Sequence, residues 1–390
     1  MKITRIRSAA GPIKSEIRNA YISFSTMTIN LVAVETDVIR DGRPVIGYGF
    51  SSNGRYACTA IIDERFAPRI LDAEPAEYFV DDTEALDPRA VWKIFMTNEK
   101  PGGHGDRAHA AGALDMAVWD AAAKIAEEPL WRLLSDQFND GKFDQEVLVY
   151  PGGGYYYPGK ELDGLKAEME GYREQGYAYV KMKIGGADLS LDMKRIEAVI
   201  DVVGDGKYLA VDANGRFDLD TALAYARAME PYGLFWYEEA GDPLDYRLNA
   251  VLCENYSGSI ATGENLFSHH DGRNLIRYGG MRSDRDWIQL DPALSYGLTE
   301  YQRFLEVVDR HGWSRRRLIP HGGHQFALSM AAGLQLGGSE SYPGVFQPYG
   351  GFADKIPIEN GYVRLPGDPG IGVELKPDML GEMRRLLGYE

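Results

Sequence analysis

The order of apolar and polar positions divides the chain into two parts. Residues 23–28 and 30–35 are rich in β-forming residues, and Asp41-Gly42-Arg43 has the composition of a turn. Further along, the apolar positions take helical spacing, most clearly in the alanine-rich run over 108–126. These patterns predict an α+β domain over residues 1–136.

Short apolar runs recur from residue 146 onwards, each ending near a polar or charged residue, with amphipathic helical segments between them. The eight runs are 147–150, 179–184, 208–212, 234–238, 259–264, 287–291, 317–321 and 336–340. From Lys183 to His321 the terminal polar residues recur every 26 to 30 residues, the length of one strand-and-helix unit of a parallel barrel. The pattern predicts an α/β fold with a barrel over residues 146–354. The last segment, 355–390, is predicted to pack back on the first domain.

Composition and charge narrow the class of protein. The 390 residues are 44% hydrophobic and 26% charged, which is typical of globular proteins. With 42 Lys and Arg against 58 Asp and Glu, the net charge is −16, which argues against a nucleic-acid partner. An anionic ligand would therefore need a metal, lysine or arginine placed locally around it.

The cysteines and the N-terminal residues bear on the compartment. Cys58 and Cys253 are too few for a disulfide framework, as in proteins of a reducing cytosol. The first residues lack the apolar run of a signal peptide, and no stretch approaches the ~20 apolar residues of a membrane span. We expect a cytoplasmic protein that has no membrane partner and forms a homo-oligomer.

Three acidic residues end consecutive predicted strands. Asp212, Glu238 and Glu264 lie 26 residues apart, so barrel closure should bring their carboxylates together. Carboxylates that share one point repel unless a cation neutralises them, and an all-oxygen set suits Mg²⁺ better than Zn²⁺. Any one of them alone would be better interpreted as a helix N-cap. Three in register favour a Mg²⁺ site.

Two lysines lie on the second predicted strand. Lys181 and Lys183 are two residues apart and share one face, which points into the barrel mouth. Two close ammonium groups lower each other's pKa, and this would make a lysine a usable base near neutral pH. The alternative is a surface strand with solvated lysines, against which the flanking Val180 and Ile184 argue.

Asp291 and His321 end the sixth and seventh predicted strands. A carboxylate beside an imidazole fixes its tautomer and raises its pKa, which gives an acid/base group opposite the lysines. His324 offers an alternative, a His-x-x-His zinc pair with His321. Glu340 ends the eighth strand and is either a hydrogen-bond donor in its protonated form or a solvated loop residue.

This constellation resembles the mandelate racemase subgroup of the enolase superfamily. The resemblance covers essentially the whole chain, and its finer motifs are similar to those of the tartrate-dehydrating members. The motifs occupy residues 100–105, 155–160, 211–216, 235–239, 263–269 and 319–325. The resemblance implies a (β/α)7β modified TIM barrel, closed by an α+β capping domain made of the N-terminal third and the C-terminal tail.

The resemblance also implies a division of roles in the site. Asp212, Glu238 and Glu264 would hold Mg²⁺, while Lys183 and His321 would form the acid/base pair. Further catalytic groups would be Asp291 as the partner of His321, with Glu340 and Lys181. Substrate would be contacted by Lys100 from the capping domain and by the polar side chains of Asn19, Asn53 and Tyr156.

The expected reaction begins with removal of a proton next to a carboxylate. For D-tartrate, Lys183 would take the C2 proton and His321 would protonate the departing C3 hydroxyl, which gives oxaloacetate after tautomerisation. Two alternatives within the family stay open, namely dehydration of another sugar acid and racemisation or epimerisation. An alternative of another class is a non-catalytic barrel that binds a metal or a metabolite.

Overall fold

An antiparallel sheet and a group of helices form the N-terminal domain of this computed structural model, which describes residues 1–13, 15–51, 56–80, 85–157, 159–352 and 356–389. The sheet has the order β1 (Ile3–Pro12), β2 (Thr28–Arg40) and β3 (Arg43–Ser51). The predicted turn joins β2 to β3, with positive φ at both Asp41 and Gly42.

Helices cover this sheet and a small second strand pair. They are α1 (Tyr56–Ile61), α2 (Ala67–Leu71), α3 (Pro88–Phe95), α4 (Asp106–Ile125) and α5 (Leu130–Phe138), and the pair is β4 (Phe79–Val80) with β5 (Ala85–Leu86). Helix α4 lies directly on β3. A Cβ at Gly47 would lie 2.0 Å from the Ala117 carbonyl oxygen, so this close approach requires glycines in the strand and alanines in the helix.

The predicted strand over 23–28 is a turn in the structure. Phe24–Thr26 forms a 3₁₀ turn capped by Ser23, and β2 begins only at Thr28. Phe24 is buried against Tyr155 and Phe346 of the second domain, with ring centroids 6.2 and 5.0 Å away. Contacts with the second domain thus override the local β propensity.

Parallel strands form the barrel predicted for the second domain. They are β6 (Glu146–Gly153), β7 (Val180–Lys183), β8 (Leu209–Asp212), β9 (Trp236–Glu238), β10 (Ile260–Thr262), β11 (Trp287–Ile288) and β12 (Ser339–Ser341). Each pairs with the next from β6 to β11, and β12 pairs with β6. The seventh predicted strand, 317–321, is reduced to one bridge between Ile288 and Leu318, and the Leu318 carbonyl accepts from Gly337 N at 2.8 Å. The predicted α/β barrel with an α+β domain is confirmed.

Helices alternate with the barrel strands. They are α6 (Leu162–Glu174), α7 (Leu189–Val203), α8 (Leu219–Met229), α9 (Tyr246–Asn255), α10 (His269–Tyr278), α11 (Leu298–Arg310) and α12 (Gln325–Gly333). Their N-caps include Asp218, Asp245 and Ser268, whose side chains accept backbone N–H bonds of the first turn. Within the described ranges, no helix combines the length and the apolar character needed to cross a membrane.

The C-terminal segment divides between the two domains. Its hairpin, β13 (Ile358–Glu359) and β14 (Tyr362–Arg364), pairs antiparallel with the first half of β6. The first half of β6 is available to β14 because β12 pairs only with the second half, Val149 to Pro151. The final helix, α13 (Pro377–Leu387), packs on β1 and β2, and the residues before it bond the N-terminal domain through Gly370 and Ile371, so the part of the segment after the hairpin lies on the capping domain.

Candidate active site

Three carboxylates converge at the carboxyl end of the barrel. Asp212 and Glu238 end β8 and β9, and Glu264 follows β10 by two residues. One oxygen of each lies within 4.8 Å of the others. None of them caps a helix, because the caps of the following helices are Asp218, Asp245 and Ser268. The N-cap alternative is therefore excluded.

Neighbouring donors orient these carboxylates. Asp212 Oδ1 accepts from the backbone N–H of Asn214 at 2.8 Å, and Glu238 Oε2 accepts from the indole N–H of Trp236 at 2.7 Å. Burial and the nearby acidic groups outweigh Lys181 and raise the pKa of Glu238 to about 7. Such a crowded all-oxygen set has the donor chemistry of a site for a hard divalent cation.

The two lysines point into the barrel and pair with carboxylates. Lys181 Nζ lies 2.7 Å from Glu238 Oε1 and 2.8 Å from Glu340 Oε1, and Lys183 Nζ lies 2.5 Å from Asp212 Oδ2. Burial disfavours both ammonium groups, but the surrounding carboxylates raise the pKa of each lysine above its usual value. The predicted lowering of pKa by mutual repulsion is therefore wrong for this chain without a cation.

His321 faces the lysines from the seventh strand position. Its Nδ1 lies 2.8 Å from Asp291 Oδ2, while Nε2 lies 3.2 Å from Glu264 Oε2 and 3.5 Å from Glu340 Oε2. Burial alone would lower the pKa of His321, but these carboxylates raise it to about 10. With Nδ1 held by Asp291, Nε2 is the nitrogen that can exchange a proton in the cavity.

His324 takes a structural role. Its Nδ1 accepts from Ala327 N at 3.2 Å and caps α12, and its ring packs edge-on against Phe50. Burial lowers the pKa of His324 to about 4, which suits a neutral cap. In the described part of the chain His321 and His324 do not form a metal-ligand group, so the zinc alternative has no support.

Glu340 is buried at the end of β12. Burial favours its neutral form, but Lys181 and His321 outweigh burial and lower the pKa of Glu340 to about 2. The Tyr342 hydroxyl donates to Glu340 Oε2 at 3.0 Å. The expectation of a protonated donor is therefore corrected, because Glu340 acts here as an ionised acceptor.

A cavity of about 480 Å³ lies between these groups and the N-terminal domain. Lys183, Glu264 and His321 line its barrel side. The side formed by the capping domain is largely apolar. Its residues include Ile13, Ile22, Phe24, Met27, Ile29 and Phe50. The acid/base groups and one metal-ligand candidate thus line the same cavity.

The predicted substrate contacts differ in where they lie. Asn19 lines the cavity, and its Oδ1 accepts from Tyr21 N at 2.8 Å and Ile22 N at 2.7 Å, which leaves its amide N–H groups to donate. Lys100 is exposed on the loop between α3 and α4 and does not line the cavity. Asn53 lies outside the described residues.

Tyr156 is turned away from the cavity. Its hydroxyl donates to Asp192 Oδ1 at 2.9 Å and accepts from Gly186 N at 3.0 Å. The preceding Tyr155 lines the cavity instead. Neighbouring residues of this loop point in opposite directions, so the predicted tyrosine contact shifts by one position.

Two further groups at the site were not found from the sequence. Tyr342 shares the inward face with Glu340, and the two-residue spacing along a strand was a signal that could have identified it.

The second group is Glu239, which has a φ of 41° and accepts a hydrogen bond from Asn265 Nδ2 at 3.0 Å. Burial, Glu264 and Asp212 hold the pKa of Glu239 well above its usual value. Nothing in the local sequence indicated that conformation.

Family models match both domains. Residues 3–135 match the model described as mandelate racemase / muconate lactonizing enzyme, N-terminal domain. Residues 164–379 match the model described as enolase C-terminal domain-like, which is more than half of the chain.

Individual relatives match over nearly their whole length. The 3,6-anhydro-alpha-L-galactonate cycloisomerase of Streptomyces coelicolor is 29% identical over 88% of both chains. The arabinonate dehydratase of Saccharolobus solfataricus is 27% identical over 91% of both chains. The crystal structure of L-talarate dehydratase from Polaromonas sp. JS666, complexed with Mg and L-glucarate, superimposes with a TM-score of 0.76 at 26% identity. This superposition covers 95% of this chain and 94% of that one.

Proposed function

We propose that this chain, which belongs to the mandelate racemase / muconate lactonizing enzyme family of the enolase superfamily, catalyses the Mg²⁺-dependent dehydration of D-tartrate to oxaloacetate. The observation that carries the proposal is the placement of Lys183 and His321 on one cavity, beside Asp212, Glu238 and Glu264. A binding protein without catalysis has no need of an acid and a base on the same ligand.

The proposed metal site is Asp212, Glu238 and Glu264. When bound, Mg²⁺ supplies positive charge against the substrate carboxylate, next to the C–H bond that breaks. This fits the donor set, since all three ligands are carboxylates whose oxygens lie within 4.8 Å of one another. The crystal structure of L-talarate dehydratase with Mg supports the same cofactor in this fold.

The proton steps fall to the chain's own side chains. Lys183 takes the proton from C2, and the electron pair of that bond forms the C2–C3 double bond. The C3–O bond breaks, and the hydroxyl leaves as water with the proton of His321 Nε2. Asp291 keeps the imidazole oriented, and Lys181 holds Glu238 and Glu340 at 2.7 and 2.8 Å. The released enol tautomerises to the keto acid.

The apolar wall favours a short substrate. The hydroxyls of a five- or six-carbon acid would face side chains such as Ile22, Phe24 and Phe50, which offer no hydrogen bonds. A four-carbon diacid keeps its polar groups near the barrel and can reach the free amide of Asn19. Lys100 does not line the cavity in this structure, so as our candidate cation for the distal carboxylate it requires its loop to move inward on substrate binding, and Lys100→Met should then lower kcat/KM on D-tartrate.

A panel of acids tests this proposal. Purified protein with Mg²⁺ is mixed with the tartrate stereoisomers, galactarate and arabinonate, and keto-acid release is measured with Lys183→Ala as the inactive control. We expect oxaloacetate from D-tartrate and little from the others. Keto acid from a longer acid alone would support the second candidate, a sugar-acid dehydratase like the relatives. Inversion of the substrate's configuration without keto-acid release would indicate a racemase, a reaction that also uses one base on each side of the substrate.

A further inference from the structure

The ring of Tyr342 is held in a slot made by two glycines. A Cβ at Gly152 would lie 2.6 Å from the ring atom Cε1, and a Cβ at Gly323 would lie 2.5 Å from Cδ2. Phe346 closes a third side edge-on, with ring centroids 5.2 Å apart. The ring is 5% exposed and packs closely against both glycines and Phe346, and this packing restrains the position of its hydroxyl.

That hydroxyl lies between the two polar groups that face it. It donates to Glu340 Oε2 at 3.0 Å, and its oxygen lies 3.2 Å from His321 Nε2. Once the phenol proton is committed to the carboxylate, the oxygen lone pair is directed at the imidazole. Asp291 holds the other ring nitrogen at 2.8 Å. Glu264 Oε2 lies 3.2 Å from Nε2 as well, so Asp291 holds one ring nitrogen while Tyr342 and Glu264 both face the other.

We infer that Tyr342 is a positioning residue, which limits the tilt of the His321 ring so that Nε2 stays facing the cavity where the leaving hydroxyl would lie. Asp291 fixes the tautomer but leaves the ring free to tilt about the Nδ1 bond. The phenol oxygen, 3.2 Å from Nε2, limits that tilt and is neutral, so it does not take the proton from the imidazole. The inference rests on the proposed dehydration, because a leaving group needs an aimed acid.

This role separates elimination from proton removal. In the described part of the chain, Lys183 Nζ bonds Asp212 Oδ2, whereas the phenol hydroxyl of Tyr342 bonds Glu340 and His321. Loss of the hydroxyl should therefore slow departure of the C3 hydroxyl while C2 deprotonation continues. A purely structural role would lower both steps together.

The test compares two tyrosine-to-phenylalanine variants. Tyr342→Phe keeps the ring in its glycine slot and removes only the hydroxyl. Tyr177→Phe is the matched control, because Tyr177 is buried and its hydroxyl bonds Ser341 Oγ at 2.8 Å, beside Glu340 on the same strand β12. Each variant is assayed with Mg²⁺ in D₂O for keto-acid release and for deuterium incorporated at C2 of recovered substrate.

In Tyr342→Phe we expect kcat for keto-acid release to fall about 10- to 100-fold, the lower part of the range for general acid catalysis. KM should stay near the wild-type value, and the ratio of exchange to elimination should rise. Tyr177→Phe should keep the wild-type ratio. An unchanged kcat and ratio in Tyr342→Phe, or equal losses in both variants, would overturn the inference.

A second measurement does not depend on the substrate. In protein labelled with ¹⁵N-histidine, the Nε2 signal of His321, assigned with His321→Asn, should shift in Tyr342→Phe but not in Tyr177→Phe. If D-tartrate is not dehydrated but the signal shifts, the proposed substrate fails and the contact stands. If the signal does not move, the positioning role is refuted whatever the substrate is.

Discussion

Buried charges govern the site at the scale of single residues. Among the described residues the carboxylates are Asp212, Glu238, Glu264, Asp291 and Glu340, and the cations are Lys181, Lys183 and His321. Counted as ionised, five carboxylates against three cations leave two negative charges, and burial together with the neighbouring carboxylates raises the pKa of Glu238 and of the adjacent Glu239. A divalent cation would balance the two negative charges. Buried charge of one sign is costly, so this balance is the physical reason for expecting a metal.

Removal of one metal-ligand charge should weaken cation binding. We expect Glu264→Gln to bind Mg²⁺ at least about tenfold more weakly in a calorimetric titration and to lose most activity, because an amide is a poorer ligand for a hard cation than a carboxylate. Glu170→Gln, exposed on α6, should behave as the wild type. Full turnover of the wild type after exhaustive chelation would contradict the metal site.

A substitution at Asn19 tests where the distal carboxylate of the substrate binds and keeps the hydrogen bonds that hold the loop. Asn19→Asp keeps the Oδ1 acceptor for Tyr21 N and Ile22 N but replaces the amide donor by negative charge. We expect kcat/KM for a dicarboxylate to fall at least about tenfold through repulsion. A monocarboxylic acid of similar size should be affected less. Equal losses on both acids would place the distal carboxylate elsewhere.

Close contact between secondary-structure elements determines how helix α4 packs on the sheet of the capping domain. The carbonyls of Ala113 and Ala117 on α4 lie where a Cβ at Gly49 or Gly47 of β3 would stand. The loop over 23–28 and the hairpin β13–β14 are shaped in the same way, by the surfaces they meet. At this scale, stability depends on how near one backbone comes to another.

A methyl group at this contact should be costly. We expect Gly47→Ala to lower the free energy of unfolding by about 1–3 kcal/mol or more, the usual cost of overpacking, since the Cβ would meet backbone that cannot yield. Gly171→Ala is the control, because nothing lies within 4 Å of its Cβ in α6, and it should be neutral or stabilising. Equal melting temperatures for the two variants would mean that α4 can move off the sheet.

Sequence reasoning reached the elements and residues that depend on local repetition. The strand-and-helix period placed Asp212, Glu238, Glu264 and His321 at strand ends, because each unit carries its own signal. It could not give the pairing of β14 with β6, which joins residues far apart in the chain. The direction in which the pKa of Lys183 shifts could not be predicted from the sequence either, because it depends on all the neighbouring charges in the fold.

Helix α4 connects the parts of the whole molecule. Its Asp115 accepts from Thr299 N at 3.1 Å and from Thr299 Oγ1 at 2.8 Å, at the start of the barrel helix α11. Its Asp120 accepts from Tyr48 N in β3 and from Ile371 N in the C-terminal segment, both at 2.8 Å. The capping domain, the barrel and the tail are thus tied through two buried carboxylates on one helix.

Asp115 should make stability depend on pH. Burial outweighs the Thr299 hydrogen bonds and raises the pKa of Asp115 to about 7, so between about pH 4 and 7 the folded state binds a proton that the unfolded state has lost. Its contribution to stability is present below this window and is lost as pH rises through it. Asp115→Asn should remove that loss, so the melting temperature of the variant relative to the wild type should rise from pH 5 to pH 8.

The control for this comparison is Asp220→Asn, on an exposed position of α8. The melting temperature of this variant should change with pH as that of the wild type does, from pH 5 to pH 8. If the melting temperature of Asp115→Asn also stays parallel to that of the wild type, proton binding by Asp115 does not change stability over this pH range, and the prediction is contradicted.

In the proposed mechanism, Lys183 removes the C2 proton and His321 protonates the C3 hydroxyl as it leaves. The measurement is deuterium at C2 of substrate recovered from D₂O, made with Mg²⁺ on His321→Asn and Lys183→Ala. In His321→Asn we expect deuterium at C2 without oxaloacetate, because the base is intact and the leaving group has no proton donor. In Lys183→Ala we expect neither. Exchange that persists in Lys183→Ala and vanishes in His321→Asn would show that the two roles are reversed.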